Sequence, residues 1–504
     1  MAITNNDRNV QYTRNLYSWK SIDDAITGSN AVKFANELYL PMPQGFIDDD
    51  TPASVSDTPS ARTTDLIKNK EMITIAPHYH SNRAYMGYLQ RARFPEITIN
   101  TLRGLIGIAT RKGSNCDLPS AMEYIKTKAT RKGQSLDEVF VMCLSGVLKF
   151  GKCTIVVDVD EINNSVHFVI QEARQFINWL EDPDTDETTM AVFQESETVL
   201  VNDDSTMAVF QNVETVLSDY DSFETEEKVS YTAYIIGEDP EDSSVNDAVV
   251  VCKYEDNSKV EKIVPSLQGV RFEKLPIVTI GSLENGNDCD PAPLSGVAEI
   301  AYTIYRKDAD LTNAQYMTCN PMFCISGATG AVPTAYGSTV ALVLENPAAT
   351  AFFPATDTSA LNHVKSDMVE LKEEAKSFGA TLLGPTNGAA ESTETVKIRQ
   401  GAQGATLVGV VQNVMKGIED ALKIAAQISG INPDDVYYSV PTDFSELSLS
   451  PQMLTALVGA WQAGIYSKES LIDMMIESGF VKGDVEAEMT RIFSEEPEYA
   501  GDDI

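Results

Sequence analysis

The most chemistry-like string in the sequence runs from Gly146 to Cys153 and differs at one residue from a phosphate-binding loop. A nucleotide-binding enzyme needs a strand, then the loop, then a helix, so that helix N-terminal amides face the phosphates. Here a predicted helix ends at Phe150, a strand begins at Cys153, and Cys153 replaces the Ser or Thr that binds magnesium. The order favours a helix C-cap at Gly151 over a nucleotide site.

Three other groups of side chains are of the types that bind cations. His78 and His80 would share one face of an extended strand, but no third His or Cys follows at ligand spacing. Asp158 with Asp160, and the string 285–290, match no EF-hand loop. Motifs of hydrolases, zinc proteins and dinucleotide-binding proteins are absent from the sequence. We therefore predict no catalytic residue, no metal site and no cofactor, and expect a protein that is not an enzyme.

The charge of the 504-residue chain is strongly acidic and uneven. Its 74 acidic and 38 basic side chains give a net charge of −36, which excludes a surface that attracts phosphate everywhere. Residues 61–152 contain 15 bases and 7 acids, whereas residues 181–230 contain 15 acids and a single base, Lys228. This asymmetry suggests electrostatic pairing between copies or with a partner. Two differently solvated faces are the alternative.

The cysteines and the hydropathy of the sequence predict a cytoplasmic protein without a membrane span. The seven cysteines form no CxxC pair and several lie inside apolar runs, which predicts reduced, mostly buried thiols in a cytoplasmic protein. The opening sequence MAITNNDRNVQYTRN has no apolar core, so a secretion signal is not expected. No apolar stretch approaches the roughly 18 residues that a membrane span needs, and we expect no contact with membrane.

Between the N-terminus and Ile280 the sequence changes from helical to strand-like periodicity. Predicted helices cover 21–38, 83–88, 97–109 and 135–150, with Asn100-Thr101 and Ser135 placed as N-caps. Strands over 153–159 and 165–170 are predicted to form a hairpin, and further strands continue to about residue 280. Met190-Ala-Val-Phe-Gln recurs at Met207 and Glu197-Thr-Val-Leu recurs at Glu214, a 17-residue duplication that predicts a repeated strand pair.

From Pro293 onward the pattern is helical again. The predicted order is a helix at 294–318, a compact segment at 320–354, a helix at 358–378, a Gly-rich loop at 379–392, a long helix at 394–429 and short helices within 450–495. The first helix would be about 37 Å long at 1.5 Å per residue. This series contains no enzyme motif and favours a structural or assembly role.

Six sequence blocks follow one another along the chain: Arg91–Lys112, Gly146–Asp158, the Ile-Asn-Trp strand of 172–179, Pro293–Asp310 with its Tyr-Arg-x-x-Ala-Asp ending, Glu391–Val396, and 443–467. In this order they resemble the portal proteins of tailed bacteriophages, the head-to-tail connector family. Together they extend over most of the chain. The duplicated segment at 190–217 departs from the family pattern and looks like an insertion.

The resemblance implies an α+β portal fold with a mixed α/β wing, a helical stem, a small α/β clip and a C-terminal helical crown. The implied boundaries are N-terminal region and wing 1–292, stem helix 293–318, clip 319–357, stem helix 358–378, tunnel loop 379–393, long helix returning to the wing 394–445, and crown with acidic tail 446–504. The tunnel-loop residues expected to face the channel are Leu383, Gly384, Pro385, Thr386, Asn387 and Gly388. The family-like structural residues are Asn178, Trp179, Tyr305, Arg306, Asp308 and Asp310.

The resemblance also implies a function and partners. Portal subunits form a ring, usually of 12 copies, at one capsid vertex, and double-stranded DNA passes through it during packaging and ejection. The implied partners are a large terminase, a head-tail adaptor, and the major capsid or scaffolding protein, in a virion assembled in the host cytoplasm. Another phage structural protein, such as a head-tail adaptor or minor capsid protein, is the alternative. We expect the basic region 61–152 to meet the acidic region 181–230 of the next copy.

Overall fold

The structure is a computed structural model that divides the chain into two units, residues 1–442 and 443–504. The residues that it describes are 8–43, 83–160, 163–185, 187–200, 207–208, 225–237, 248–255, 258–272, 274–319, 324–327, 348, 350–352, 359–383, 393–442, 461, 467–477 and 488–491. The first unit mixes helices and sheets, in agreement with the predicted α+β class. No helix in these ranges is both long and apolar enough to cross a bilayer.

The N-terminal helices are α1 (Val10–Thr27), α2 (Ser29–Phe34), α3 (Arg83–Arg91), α4 (Ile97–Ala109) and α5 (Leu136–Phe150), with 3-10 turns at Asn36–Leu38 and Glu123–Lys126. Helix α1 begins well before the predicted start at Ser21, because Asn9 caps it by accepting a hydrogen bond from the backbone N–H of Gln11. The helical stretch is broken at Gly28, where the backbone has φ of 100°.

The predicted N-caps had different outcomes. Ser135 caps α5 in a full capping box with Glu138, as expected. The Asn100-Thr101 prediction was wrong: α4 starts directly after Glu96, and both residues lie inside it. The hydroxyl of Thr101 instead donates to the carbonyl of Ile97 at 3.0 Å, an alternative open to any Thr inside a helix.

Two antiparallel sheets follow α5. Strands β2 (Lys152–Asp160) and β3 (Ser165–Glu172) form the predicted hairpin, and β12 (Ile277–Gly281) pairs with the other edge of β2. The larger sheet has the order β4-β5-β7-β8-β9, with β6 on β5. Its strands are β4 (Phe176–Glu181), β5 (Thr188–Leu200), β6 (Met207–Ala208), β7 (Thr225–Gly237), β8 (Ala248–Glu255) and β9 (Ser258–Ile263), and a short pair follows, β10 (Ser266–Leu267) with β11 (Val270–Arg271).

The duplicated segment contributes to the larger sheet. The first copy lies within β5, and the start of the second copy forms β6, whose Met207 and Ala208 pair with Leu200 and Val199. Residues 209–217 of the second copy lie outside the described residues. The described parts of both copies therefore form antiparallel strands of the same sheet.

The helical half of the first unit contains α6 (Ser295–Cys319), α7 (Ser359–Leu383) and α8 (Thr393–Ile428). Strands β13 (Cys324–Ser326) and β14 (Thr350–Phe352) lie between α6 and α7, and a 3-10 turn (Pro433–Asp435) leads to β15 (Tyr437–Ser439), which pairs with β1 (Asn115–Asp117). In the second unit the structure describes α9 (Lys468–Glu477), which follows the predicted start signal Ser467.

Helices α5 and α8 cover the three-stranded sheet and form the core with it. One apolar face of the C-terminal half of α8 is buried, and Gly417 lets this face approach β12 closely. A Cβ atom at Gly417 would lie 2.4 Å from Cγ1 of Ile280. Burial of this helix face against the sheet is the main source of hydrophobic stabilisation in this region.

Gly151 joins α5 to β2 and confirms the predicted helix C-cap. Its φ of 74° is left-handed, and its N–H donates to the carbonyl of Val147 at 2.8 Å. A Cβ atom at Gly151 would lie 2.1 Å from the backbone oxygen of Asp290. The resemblance of this segment to a phosphate-binding loop thus comes from a helix end, where unpaired carbonyls disfavour an anion.

Gly151→Ala is expected to destabilise the protein by about 2 to 5 kcal/mol, because it adds left-handed strain and a backbone clash. Gly107→Ala is the matched control, since Gly107 lies inside α4 and an added Cβ atom there would have nothing within 4 Å. It should stabilise the protein by about 0.5 to 1 kcal/mol. Urea unfolding curves measure both, and equal effects of the two changes would contradict this account.

Candidate functional site

Helices α6 and α7 pack side by side through one apolar seam. Ile304, Leu311 and Met368 form its buried centre, and the partly buried residues packed against them are Ile97, Ile300, Leu361, Val364 and Leu371. Beside the seam, Nζ of Lys307 lies 3.0 Å from Oδ2 of Asp367. The seam, with small support from this exposed ion pair, fixes α7 on α6.

The segment between α6 and α7 closes on itself through a short sheet. Cys324 of β13 pairs with Phe352 of β14, and Ser326 pairs with Thr350. The chain that leaves α6 therefore returns beside its own starting strand before it enters α7. Residues 328–347, most of the predicted clip, lie outside the described residues.

The helix predicted at 358–378 ends later than expected. Helix α7 continues past Phe378 to Leu383, so the first five residues of the predicted loop, 379–383, are helical. A single glycine at 379 costs about 1 kcal/mol and does not end a helix that continues into good helix formers. The pair Gly384-Pro385 is the stronger stop signal. The remaining predicted channel residues, 384–388, lie outside the described residues.

The polar residues of the family-like motif in α6 bind the N-terminal part of the chain. Nε of Arg306 donates to the carbonyl of Tyr39 at 2.9 Å. Oδ2 of Asp308 accepts from the backbone N–H of Arg93 at 2.8 Å. Each contact joins segments that lie far apart in the sequence, so the motif fixes tertiary structure rather than the helix itself.

Two tyrosines complete this attachment. The hydroxyl of Tyr88 donates to Oδ1 of Asp310 at 2.6 Å, and burial together with the Asp310 carboxylate raises the pKa of Tyr88 far above its usual value. Tyr305 is fully buried and meets the ring of Phe94 edge-on at 5.7 Å between centroids. Burial raises the pKa of Tyr305 as well. Both phenols therefore stay neutral at physiological pH.

The structure thus brings two of the family-like blocks together at one place. The block that begins at Arg91 lies against α6, where the Arg91 guanidinium donates to Asn313 at 3.0 Å and covers the ring of Tyr316 at 4.1 Å. We call the contacts of residues 39 and 88–94 with residues 305–316 the α6 anchor. Asn178 and Trp179 are not part of it.

Asn178 and Trp179 lie in β4 beside a buried lysine. Trp179 contributes to a cage in which Nζ of Lys152 is 3.8 Å from the Trp179 ring centroid and 4.3 Å from that of Phe176. Nζ also donates to the carbonyl of Asn287. The side-chain oxygen of Asn178 accepts from the N–H of Trp179 at 3.0 Å, at an irregular register position of β4. Lys152 is 1% exposed, so it does not face a nucleotide in solution.

Burial lowers the pKa of Lys152 to about 8, opposed by the nearby Cys289, Asp288, Glu181 and Asp290. The cage is the feature that sequence analysis missed. Its parts come from β2, β4 and the 285–290 loop. Lys152, Trp179 and the 285–290 string each stood in a separate sequence motif, and no sequence signal joined the three. A lysine at the start of an apolar strand is the one signal that indicated an unusual environment.

The candidate cation ligands have protein partners instead. Oδ2 of Asp158 lies 3.2 Å from Nε2 of His167 across the β2–β3 pair. Burial acts to raise the pKa of Asp158, but His167 and Arg131 outweigh burial and hold it below its usual range. Asp160 binds Asn163 through both carboxylate oxygens.

The 285–290 string is a turn held by its own side chains, with Oδ2 of Asp290 accepting from the N–H of Leu283 at 2.7 Å. His78 and His80 lie outside the described residues. Within the part of the chain that the structure describes, no group of three or more His, Cys, Asp or Glu is arranged to hold a metal ion.

Residues 293–428 match the model of a family described as a domain of unknown function, DUF4055. The match begins two residues before α6 and ends on the last residue of α8, so the family model covers this helical series as one unit. No curated protein matches the chain.

Solved structures of gene transfer agent particles contain chains that are similar to this one. A chain of the native virion is 12% identical, covers 79% of this chain and 94% of its own length, and has a TM-score of 0.41. A chain from the neck of the empty particle, computed with C6 symmetry, is 11% identical with the same coverage and a TM-score of 0.38. A chain from the neck of the native particle, computed with C12 symmetry, is 12% identical, covers 75% and 90%, and has a TM-score of 0.35. Likeness at this level does not assign a function to the chain.

Replacing Lys152 by Met should change how stability depends on pH. Since the pKa of Lys152 is about 8 when folded and about 10.4 when unfolded, the unfolded state binds one more proton between these values, and stability rises with pH there. The free energy of unfolding of the wild type, measured relative to that of Lys152→Met, should increase by up to about 3 kcal/mol between pH 7 and pH 10.5. The exposed Lys128→Met is the control, with unfolding by urea as the measurement. If the difference in unfolding free energy between the wild type and Lys152→Met does not change with pH, the buried-cation account is wrong.

The α6 anchor should show energetic coupling between Tyr88 and Asp310. In a double-mutant cycle of Tyr88→Phe and Asp310→Asn, we expect a coupling energy of about 1.5 to 3 kcal/mol, because the hydrogen bond is charge-assisted and half-buried. The same cycle on the exposed pair, Lys307→Met with Asp367→Asn, should give about 0.2 to 1 kcal/mol. Urea unfolding measures both cycles, and a larger coupling for the exposed pair would be inconsistent with the anchor.

Proposed function

We propose that this chain is the portal subunit of a tailed-bacteriophage-like particle, which forms a ring at one capsid vertex and conducts double-stranded DNA. The observation that carries the proposal is the series of elements from α6 to α8: a long helix, a small antiparallel insert, a second long helix packed on the first, a Gly-Pro segment and a third long helix. The family resemblance of the sequence implies this same order for a portal stem, clip, tunnel loop and return to the wing.

The dimensions of the helices suit this role. Helices α6 and α7 have 25 residues each, or about 37 Å at 1.5 Å per residue. The small sheet joins one end of α6 to the start of α7, and the opposite end of α7 leads into residues 384–392. In the proposed ring, the small sheet belongs to the clip and residues 384–388 to the channel wall.

The α6 anchor and α8 hold this series to the rest of the first unit. Through the anchor, the middle of α6 is bound to α3 and the segment after it. From Leu407 onward, α8 returns to the three-stranded sheet and is buried there. A channel subunit needs such rigid attachment, because loads on the channel wall must pass into the ring.

The paired helices also leave apolar surface uncovered within the single chain. Val369 on α7 and Met317 on α6 are each 58% exposed. Closed rings form through heterologous interfaces, in which one face of each copy meets a different face of the next. We assign these side chains to the subunit interface of the proposed ring.

The acidic charge is compatible with a conduit for DNA. Each contact between a basic side chain and phosphate is binding energy that must be lost when the duplex advances, so a channel with many such contacts would retain the DNA. A net charge of −36 per chain opposes that retention. The six residues 383–388 carry no charge at all.

The proposed portal has no catalytic residue, cofactor or metal of its own. The energy for packaging would come from a large terminase that docks on the ring, and the ring would also bind a head-tail adaptor and the major capsid or scaffolding protein. We propose 12 copies in the ring, located at the capsid vertex of the virion.

Native mass spectrometry and negative-stain imaging of the purified full chain test the proposal. Twelve copies of a 55.0 kDa chain give about 660 kDa, and the images should show rings with a central hole. Monomers or open filaments would contradict the proposal and favour a head-tail adaptor or minor capsid protein.

A matched pair of variants tests the assigned interface. Val369→Asp places a charge on the exposed apolar face of α7 and should abolish the ring. Val10→Asp makes the same substitution at a valine that is 63% exposed on α1 and should leave the ring intact. Rings that survive Val369→Asp would remove α7 from the interface.

A further inference from the structure

An open cavity of about 600 Å³ lies beside the α6 anchor and is lined by basic side chains. Its lining includes Ser29, Lys33, Arg91, Arg93, Phe94 and Thr312. The volume is within the range of about 300 to 1,000 Å³ that is typical of ligand sites. We call it the cationic cleft, and it stands out because the chain as a whole is strongly acidic.

The cations of the cleft are only partly neutralised by the protein. Nζ of Lys33 donates to the carbonyl of Gln90, which is a neutral acceptor. The side chain of Arg93 is exposed, and its guanidinium has no hydrogen bond or ion pair among the described residues. Asp308 is the carboxylate that accepts from the backbone of Arg93 and attracts Lys33. Asp310, the other carboxylate of the adjoining anchor, accepts from Tyr88. The residues that line the cleft include the three cations Lys33, Arg91 and Arg93 and no Asp or Glu, so its lining is positive.

The opposite charge is concentrated at one hairpin tip. Residues 181–187 read Glu-Asp-Pro-Asp-Thr-Asp-Glu in the sequence, with five acids and no base. They join β4 to β5, and Asp186 lies outside the described residues. The tip is closed by the N–H of Asp182, which donates to the carbonyl of Glu187 at 2.9 Å. Asp184 is exposed, and the side chain of Glu187 pairs with Lys274. The side chain of Glu181 accepts from Asn287. The described carboxylates at the end of the tip are therefore those of Asp182 and Asp184, and a closed hairpin holds them in place at little cost in conformational entropy.

We propose that the cationic cleft of one copy receives the acidic 181–187 tip of the next copy, as the polar part of the interface between subunits. This inference rests on the proposed ring, because a closed ring requires two different complementary faces on every copy. Arg91 and Arg93 of the cleft belong to the basic 61–152 region and the tip belongs to the acidic 181–230 region, so the proposal makes the expected pairing of these two regions specific. Opposite potentials at these faces would steer association and fix the register of neighbouring copies.

Charge reversal on each side tests the contact. The cleft variant is Lys33→Glu with Arg93→Glu, and the tip variant is Asp184→Lys with Thr185→Lys. These positions avoid the anchor contacts of Arg91 and the ion pair of Glu187. Each variant alone should reduce the fraction of chain in rings by at least about tenfold at low salt, since like charges then face each other.

Mixing the two variants gives the decisive outcome. In a mixed ring of even number, a wild-type tip meets a wild-type cleft at one interface and a basic tip meets an acidic cleft at the next. Rings of alternating subunits should therefore return on mixing, at a fraction within about twofold of wild type. Matching urea unfolding curves for the two variants and the wild type show that the substitutions leave the fold intact.

Three results distinguish this inference from the proposed function. If the wild-type chain forms no ring, the proposed function fails. If the wild type forms rings and both single-side variants do too, the ring stands and the cleft-to-tip contact is wrong. If the cleft variant assembles normally but binds a 30-base-pair DNA duplex more weakly than wild type, the cleft holds DNA phosphate, and the proposal is overturned.

Discussion

The attachment of α6 to the N-terminal helices is the constraint on which the helical series depends. Arg306, Asp308 and Asp310 lie close together on α6, and each binds a different element far away in sequence. The seam with α6 positions α7. The small β13–β14 sheet lies between the two helices in the sequence. Loss of the α6 anchor would therefore weaken the fixed orientation of α6 and α7 relative to the mixed α/β part of the unit, and α8 would remain attached to the three-stranded sheet.

The second constraint lies where α5 turns into β2. Gly151 allows a left-handed helix end, and the chain then buries Lys152 among Phe176, Trp179 and the 285–290 loop. A buried ammonium group is costly unless aromatic faces, carbonyls and nearby carboxylates compensate for lost water. The string that suggests a phosphate-binding loop thus joins α5 to β2 and places its lysine against β4. The fold accounts for these residues without a nucleotide site.

Local signals predicted much of the fold, because helices and hairpins are determined by residues close in sequence. The capping box at Ser135, the helix C-cap at Gly151 and the β2–β3 hairpin follow from such signals. The end of α7 differs from the prediction, because Gly379 is a weaker stop than Gly384-Pro385. The partners of Asp308 and Lys152 could not be predicted, since they come from segments that only the tertiary structure brings together.

The central claim is that α6, α7 and the segment after α7 surround a channel for DNA. A cryo-electron microscopy map of the purified assembly tests it most directly, since it shows both the symmetry and the position of each helix. We predict a closed ring in which α6 and α7 lie next to the central channel and residues 384–388 line the bore. A closed particle in which these helices face outward, or an assembly with no channel, would contradict the account.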